Sequence, residues 1–132
     1  MIGFVYAFVA SVLWGLVYAV DQKILENTSI INFLFICNLV STMMLLPFVN
    51  TQQGVSFSWL VLLAPVLWTI GNFLILAAIK IIGASTASII EISYPINVVI
   101  FCYLLYNKIP NNTVLLGGLL VFIGSAIIAY FG

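Results

Sequence analysis

Long apolar runs broken by short polar clusters divide the chain into five segments. The first runs from about Gly3 to Leu25 and stops at Glu26-Asn27-Thr28. The second covers about 29–49 and ends in Asn50-Thr51-Gln52-Gln53-Gly54. The third covers about 57–82, with Pro65 near its start, and gives way to Gly83, a turn signal, followed by Ser85 as a helix cap. The fourth covers about 85–106 with Pro95 near its middle. Asn107 to Asn112, containing Pro110, makes the next turn, and the fifth covers about 113–131. Each segment has about the 20 residues a helix needs to cross the hydrocarbon core. None alternates apolar with polar residues as a barrel strand does. The pattern predicts an all-α integral membrane protein of five transmembrane helices in a single domain spanning 1–132.

Composition sharpens this. Of 132 residues, 65% are hydrophobic and 5% charged, where a soluble domain carries roughly 25% charged residues. A water-soluble domain and a disordered chain are both excluded. The charges are Asp21, Lys23, Glu26, Lys80, Glu91 and Lys108, with a net charge near zero. Nucleic acid is excluded as a partner, because three Lys cannot build the basic patch that neutralises phosphates. Cys37 and Cys102 lie inside apolar runs, and with His absent they form neither a metal site nor a disulfide scaffold. They read as small apolar packing residues. The N-terminal run lacks the basic region of a secretory signal and is expected to stay as the first span. No metal or cofactor is expected.

With five spans, Lys23 and Lys80 fall on the side of the C-terminus and Lys108 on the other. The positive-inside rule then weakly favours a cytoplasmic C-terminus. So small a bias also fits insertion in both orientations. The cell (inner) membrane is the expected location.

Glu91 is the most informative residue. It lies well inside the fourth segment with no other charge near it in sequence. A carboxylate at the centre of a membrane helix costs about 2.5–3.5 kcal/mol on insertion scales. Low dielectric disfavours the charged form of a carboxyl group. A group that takes up a proton there can exchange it for a cation or for substrate. The alternative is a neutral Glu bonded to a neighbouring helix. Helical spacing puts Ala84, Ala87, Ser88, Glu91, Tyr94 and Pro95 on one small, polar face. Pro95 cannot donate to the carbonyl of Glu91, which suits a helix hinge beside a lined cavity. A packing kink is the other reading.

The first segment carries a matching stripe of Ser11, Trp14, Tyr18 and Asp21 or Gln22. Trp14 is too deep for the interfacial belt and is a candidate cavity wall, able to stack on a cation or an apolar solute. Packing between helices is its other reading. Asp21 and Lys23 read as solvated or snorkelling charges at the membrane edge, with a part in coupling as the other reading. In the third segment Trp68, Gly71, Asn72 and Ile75 share a face, and Asn72 is expected to bond across helices or line the cavity. Asn38, Ser41 and Thr42 could do the same in the second. Gly117, Gly118, Gly124 and Ser125 let another helix approach the fifth, so packing or subunit contact is expected at Gly117 and Gly124.

Several motifs in order resemble a known family. Ser11-Val12-Leu13-Trp14-Gly15 looks like the "LLWG" opening of EamA-type domains in the drug/metabolite transporter superfamily. The stretch from Ala77 to Ser88 is similar to that family's junction of third and fourth helices. Tyr94-Pro95 falls where many members have Glu-Pro, and Lys108 falls where many have the Glu of a "GE" pair. Leu116 to Gly124 is similar to the closing "LGALLILAG" helix. The resemblance covers the whole chain. It implies half of a ten-helix carrier, built from two five-helix repeats in opposite orientation with substrate between them. It therefore implies a pair, most simply an antiparallel homodimer like the small multidrug resistance relatives. Two departures stand out. The Glu of Glu-Pro is Tyr94 here, and the first helix has no Glu at the depth where small multidrug relatives carry theirs.

The expected function is therefore a dimeric secondary transporter of a small organic solute, with membrane lipid around it and Glu91 as the proton or substrate coupling residue. Trp14, Tyr18, Asn72, Tyr94 and Ser88 are expected to line its cavity. The alternative is a non-transporting membrane subunit or scaffold paired with a different membrane protein. An enzyme acting on lipid is disfavoured by the lack of His, paired carboxylates and a metal cluster. A pore is disfavoured by the lack of a selectivity-filter pattern.

Overall fold

The computed structural model describes residues 2–50, 54 and 59–131. The polar stretch 51–53 and the expected start of the third span at residue 57 lie outside the described residues. Six helices follow one another: α1 (Ile2–Leu25), α2 (Ile30–Leu45), α3 (Trp59–Ile82), α4 (Ala84–Glu91), α5 (Tyr94–Tyr106) and α6 (Asn112–Phe131). Among the described residues there is no strand, and five candidate membrane spans are present, α4 and α5 together making one. Helices are what such apolar sequence must form, since hydrocarbon offers the backbone no partner but itself.

Local chemistry sets where each helix starts and stops. Ser29 caps α2, its Oγ accepting from the backbone N–H of Asn32 at 3.2 Å. The 16 residues of α2 rise about 24 Å, short of the roughly 30 Å hydrocarbon core. A tighter 3-10 turn at Leu46–Phe48, opened by Pro47, extends that span to Phe48. Asn107 takes the left-handed conformation (φ 52°) that closes α5, and its N–H donates to the Tyr103 carbonyl at 2.8 Å. Asn111 caps the start of α6 by accepting from the N–H of Val114 at 3.0 Å.

The junction of α3 and α4 corrects one expectation. Ser85 does not cap α4. Gly83 turns the chain at φ 81°, and the N–H of Ala84 is capped from another helix, by Oε1 of Gln22 on α1 at 2.7 Å. A side chain at Gly83 would carry both the strain of that φ and a contact 3.7 Å from the Gln22 oxygen. Ser85 is already inside the helix, where its carbonyl accepts from the Ser88 hydroxyl at 3.0 Å.

The fourth span is two helices. The first ends at Glu91, and α5 begins at Tyr94 with Pro95 in its first turn. The face of Ala84, Ala87 and Glu91 therefore ends with α4.

The buried core is small and lies at one end of the bundle. Leu25, Leu76, Ile79, Ala84 and Ala87 form it, with Ile30, Phe33, Leu34 and Tyr18 packed against it. These residues come from the end of α1, the start of α2, the end of α3 and the start of α4, so the bundle is closed on the side of the first and third turns. The outer elements are held differently. α6 meets α4 through Ser125, whose hydroxyl donates to the carbonyl of Ile89 at 2.7 Å. Gly118 meets Ile96, which lies 3.9 Å from where a Cβ would stand. Gly117 and Gly124 have no neighbour within 4 Å of that position, so they pack on no helix of this chain. Most large apolar side chains are exposed, as on a membrane-embedded surface.

Candidate functional site

A cavity of about 240 Å³ opens between α1, α2 and α3, just beyond the closed end. Leu76 floors it. Trp14, Tyr18 and Asp21 of α1 face it, with Phe33, Cys37 and Asn38 of α2 and Trp68 and Asn72 of α3. The stripe on α1 has one residue per helical turn, so Trp14, Tyr18 and Asp21 stand in a column along one wall. Trp14 stands about 16 Å along the helix axis from Leu25, well within the membrane.

Aromatic rings brace the walls. The ring centroids of Trp14 and Tyr18 are 5.9 Å apart, and those of Trp14 and Trp68 are 6.2 Å apart at an interplanar angle of 59°. Both separations are within the range at which tilted aromatic pairs attract. The indoles of α1 and α3 thus meet across the cavity, yet both stay accessible, Trp14 at 43% and Trp68 at 55%.

Glu91 stands behind this wall. The Tyr18 hydroxyl donates to Oε2 of Glu91, tying the wall of the cavity on α1 to the last residue of α4. Glu91 itself is half-buried and does not line the cavity. A carboxylate accepts such a bond from either oxygen, whereas the protonated acid has one oxygen left as acceptor and gains a donor.

Of the residues expected to line the cavity, Trp14, Tyr18 and Asn72 do so, and Ser88 and Tyr94 do not. Ser88 turns its hydroxyl back to the Ser85 carbonyl. Tyr94 lies beyond the break and is 56% exposed. A helical face drawn from Ala84 to Pro95 presumes one continuous helix, and the chain does not continue it. Asn72 does not bond across helices. Its Nδ2 donates to the Trp68 carbonyl of its own helix at 2.8 Å, and Asn38 does the same to Leu34 at 2.8 Å. The carbonyl a turn earlier lies within reach and has a second lone pair to accept with. Pro95 sits at the start of α5, two residues past the break.

Asp21 is the residue that sequence reasoning misplaced. It is not solvated at the membrane edge: it is 7% exposed and faces the cavity. Lys23, two residues on, points away with its side chain 80% exposed and pairs with Glu26 at 2.7 Å. The signal was present in the spacing, because Asp21 is one turn from Tyr18 on the inward stripe. Cys37 lines the same cavity rather than only filling space.

The sequence model of the EamA-like transporter family matches residues 1–130, and the chain belongs to that family. It is thus a multi-pass integral membrane protein of transporter type. No curated protein and no solved structure matches the chain.

Proposed function

We propose that this chain is a secondary transporter of a small organic solute in the cell (inner) membrane, working as a dimer of five-helix repeats in antiparallel arrangement. Glu91 is the proton-coupling residue in this reading, and the cavity beside Trp14, Tyr18, Trp68 and Asn72 receives the solute. The observation that carries the proposal is the hydrogen bond from Tyr18 to Glu91. It links a membrane carboxyl group to the wall of a solute-sized cavity in a member of a transporter family. Solute that displaces or strengthens Tyr18 alters the partner of Glu91, and a proton on Glu91 alters the wall the solute meets. That reciprocity is what coupling requires.

The pairing is supported by the small core. One end of the bundle is closed, while both indoles of the cavity remain accessible. A second five-helix unit, in the opposite orientation, would supply the other half of the enclosure that alternating access needs. Gly117 and Gly124, open on α6, suit contact with that unit.

The test is purified protein in liposomes under an imposed pH gradient, with lumenal pH recorded as amines, amino acids, sugars and carboxylates are added in turn. A solute-dependent proton flux that disappears in Glu91→Gln is the expected result. Flux unchanged in Glu91→Gln would remove Glu91 from the mechanism. A protein that stays monomeric and moves none of these solutes would overturn the transporter reading.

A further inference from the structure

We propose that Asp21 makes this cavity a binding site for a protonated primary amine, with the ammonium group held between the Asp21 carboxylate and the indoles of Trp14 and Trp68. This deepens the transport reading by naming the solute class of the same cavity, and it rests on that reading for its biological role.

The first argument is the state of Asp21. The residue is 7% exposed, and among the described residues it makes no hydrogen bond and no ion pair. Buried side-chain polar atoms among those residues all have partners, so the Asp21 oxygens look onto the open volume they line. This carboxylate therefore finds its partner in whatever fills the cavity. Among the described residues no cation stands beside it. No Lys lines the cavity. Lys23 is taken up by Glu26 on the outer surface, and Lys80 and Lys108 are exposed. Glu91 differs in this respect, since it already has the Tyr18 hydroxyl.

The second argument is the chemistry of the walls. Asn38 and Asn72 each turn an amide N–H onto their own helix, which leaves Oδ1 of each as an unused acceptor. The cavity is thus lined by a carboxylate, two amides with a free oxygen and two indoles. All are electron-rich, and indole faces attract cations. Such a wall repels carboxylates and phosphates. It favours a cation that carries N–H donors over one that carries charge alone, because the acceptors need hydrogens. A bare metal ion would need several oxygens close around it, whereas most of this lining is aromatic and aliphatic.

Binding can be measured without transport. Purified full-length protein is titrated with n-butylammonium while tryptophan fluorescence is followed. Butanoate, 1-butanol, tetramethylammonium and sodium chloride at matched ionic strength are the comparisons. Alkylation of Cys37 by N-ethylmaleimide gives a second readout, with Cys102, outside the cavity, as internal reference. The expected result is a saturable response to n-butylammonium, weaker with tetramethylammonium and absent with butanoate and butanol. Butylammonium should slow alkylation of Cys37 and not of Cys102. Asp21→Asn should weaken binding at least about tenfold, and Asp21→Glu should recover part of it. An equal response in folded Asp21→Asn, or a response to butanoate or sodium that matches butylammonium, would overturn the proposal. If Asp21→Asn does not fold, the ligand series on the wild-type protein decides. Asp21-dependent binding without any flux in liposomes would sink the transport reading and leave this one standing. Glu91-dependent flux of a neutral or anionic solute, with no ammonium binding, would do the reverse.

Discussion

Tyr18 and Glu91 lie far apart in the chain, yet the hydroxyl of one donates to the carboxylate of the other, joining α1 to the end of α4. Two variants isolate that bond. Tyr18→Phe keeps the ring against Trp14 and deletes only the hydroxyl, while Glu91→Ala deletes the acceptor. Each should cost about 0.5–1.5 kcal/mol, the net worth of a hydrogen bond between half-buried groups. If the bond is the shared cause, the double variant should lose little more than the worse single one. Additive losses in thermal unfolding and in proton flux would show that the two residues act separately.

The cap that Gln22 places on Ala84 gives a contrast between two neighbouring polar residues. Gln22→Ala should lower stability by about 0.5–2 kcal/mol, the usual effect of removing a helix cap, because Ala84 is buried and its N–H has no other acceptor. Ser85→Ala should stay within about 0.5 kcal/mol of the parent, as exposed substitutions do. Thermal unfolding in detergent measures both. A larger loss at Ser85 than at Gln22 would reverse the assignment of the cap.

Ser125 and Gly124 are adjacent on α6 and should separate chain packing from subunit pairing. The Ser125 hydroxyl bridges to the Ile89 carbonyl of α4 and the Val121 carbonyl of its own helix. Ser125→Ala should cost about 0.6 kcal/mol and no more than about 1.7, the range for such bonds in membranes. Gly124 is exposed and an added Cβ meets none of the described residues within 4 Å, so the Gly124→Leu protomer should fold and unfold as before. On the proposed dimer face it should weaken association, which light scattering during size exclusion would report. A Gly124→Leu protein that pairs as tightly as the parent would place the contact elsewhere.

Much of this architecture is legible in the sequence because a bilayer leaves few choices. Apolar runs of span length must be helices, and the stripe of Trp14 and Tyr18 and the isolated charge of Glu91 pick out the inward faces. What periodicity misses has specific causes. Asp21 sits near the end of its span, and linear position reads as interface. Only the packing of Leu25, Ile79 and Ala84 over that end seals it from water. Tyr94 shares a face with Glu91 only if one helical phase runs on to Pro95, and the helix breaks before it; Ser88, inside α4, turns its hydroxyl to the Ser85 carbonyl instead. Of the two expectations for Asn72, it lies on the cavity, and its amide N–H goes to the Trp68 carbonyl of its own helix rather than across to another. Gln22 could not be recognised as a cap, because its partner is supplied by tertiary contact with α4.

The break before α5 leads to the last prediction. Pro95 has no N–H to give the carbonyl of Glu91, and the chain responds by ending α4 there and restarting at Tyr94. Pro95→Ala restores that donor. A single helix can then run from Ala84 to Tyr106, gaining a backbone bond and losing a residue that disfavours helix interiors. Stability should therefore hold or rise. Transport should fall, because the joint between the half tied to α1 through Tyr18 and the half beyond it would stiffen. The split between the two readouts is the test. Thermal unfolding and proton flux measured on the same Pro95→Ala preparation should move in opposite directions. A variant that loses both would mark Pro95 as a packing residue, and one that keeps full flux would show that the break has no part in the transport cycle.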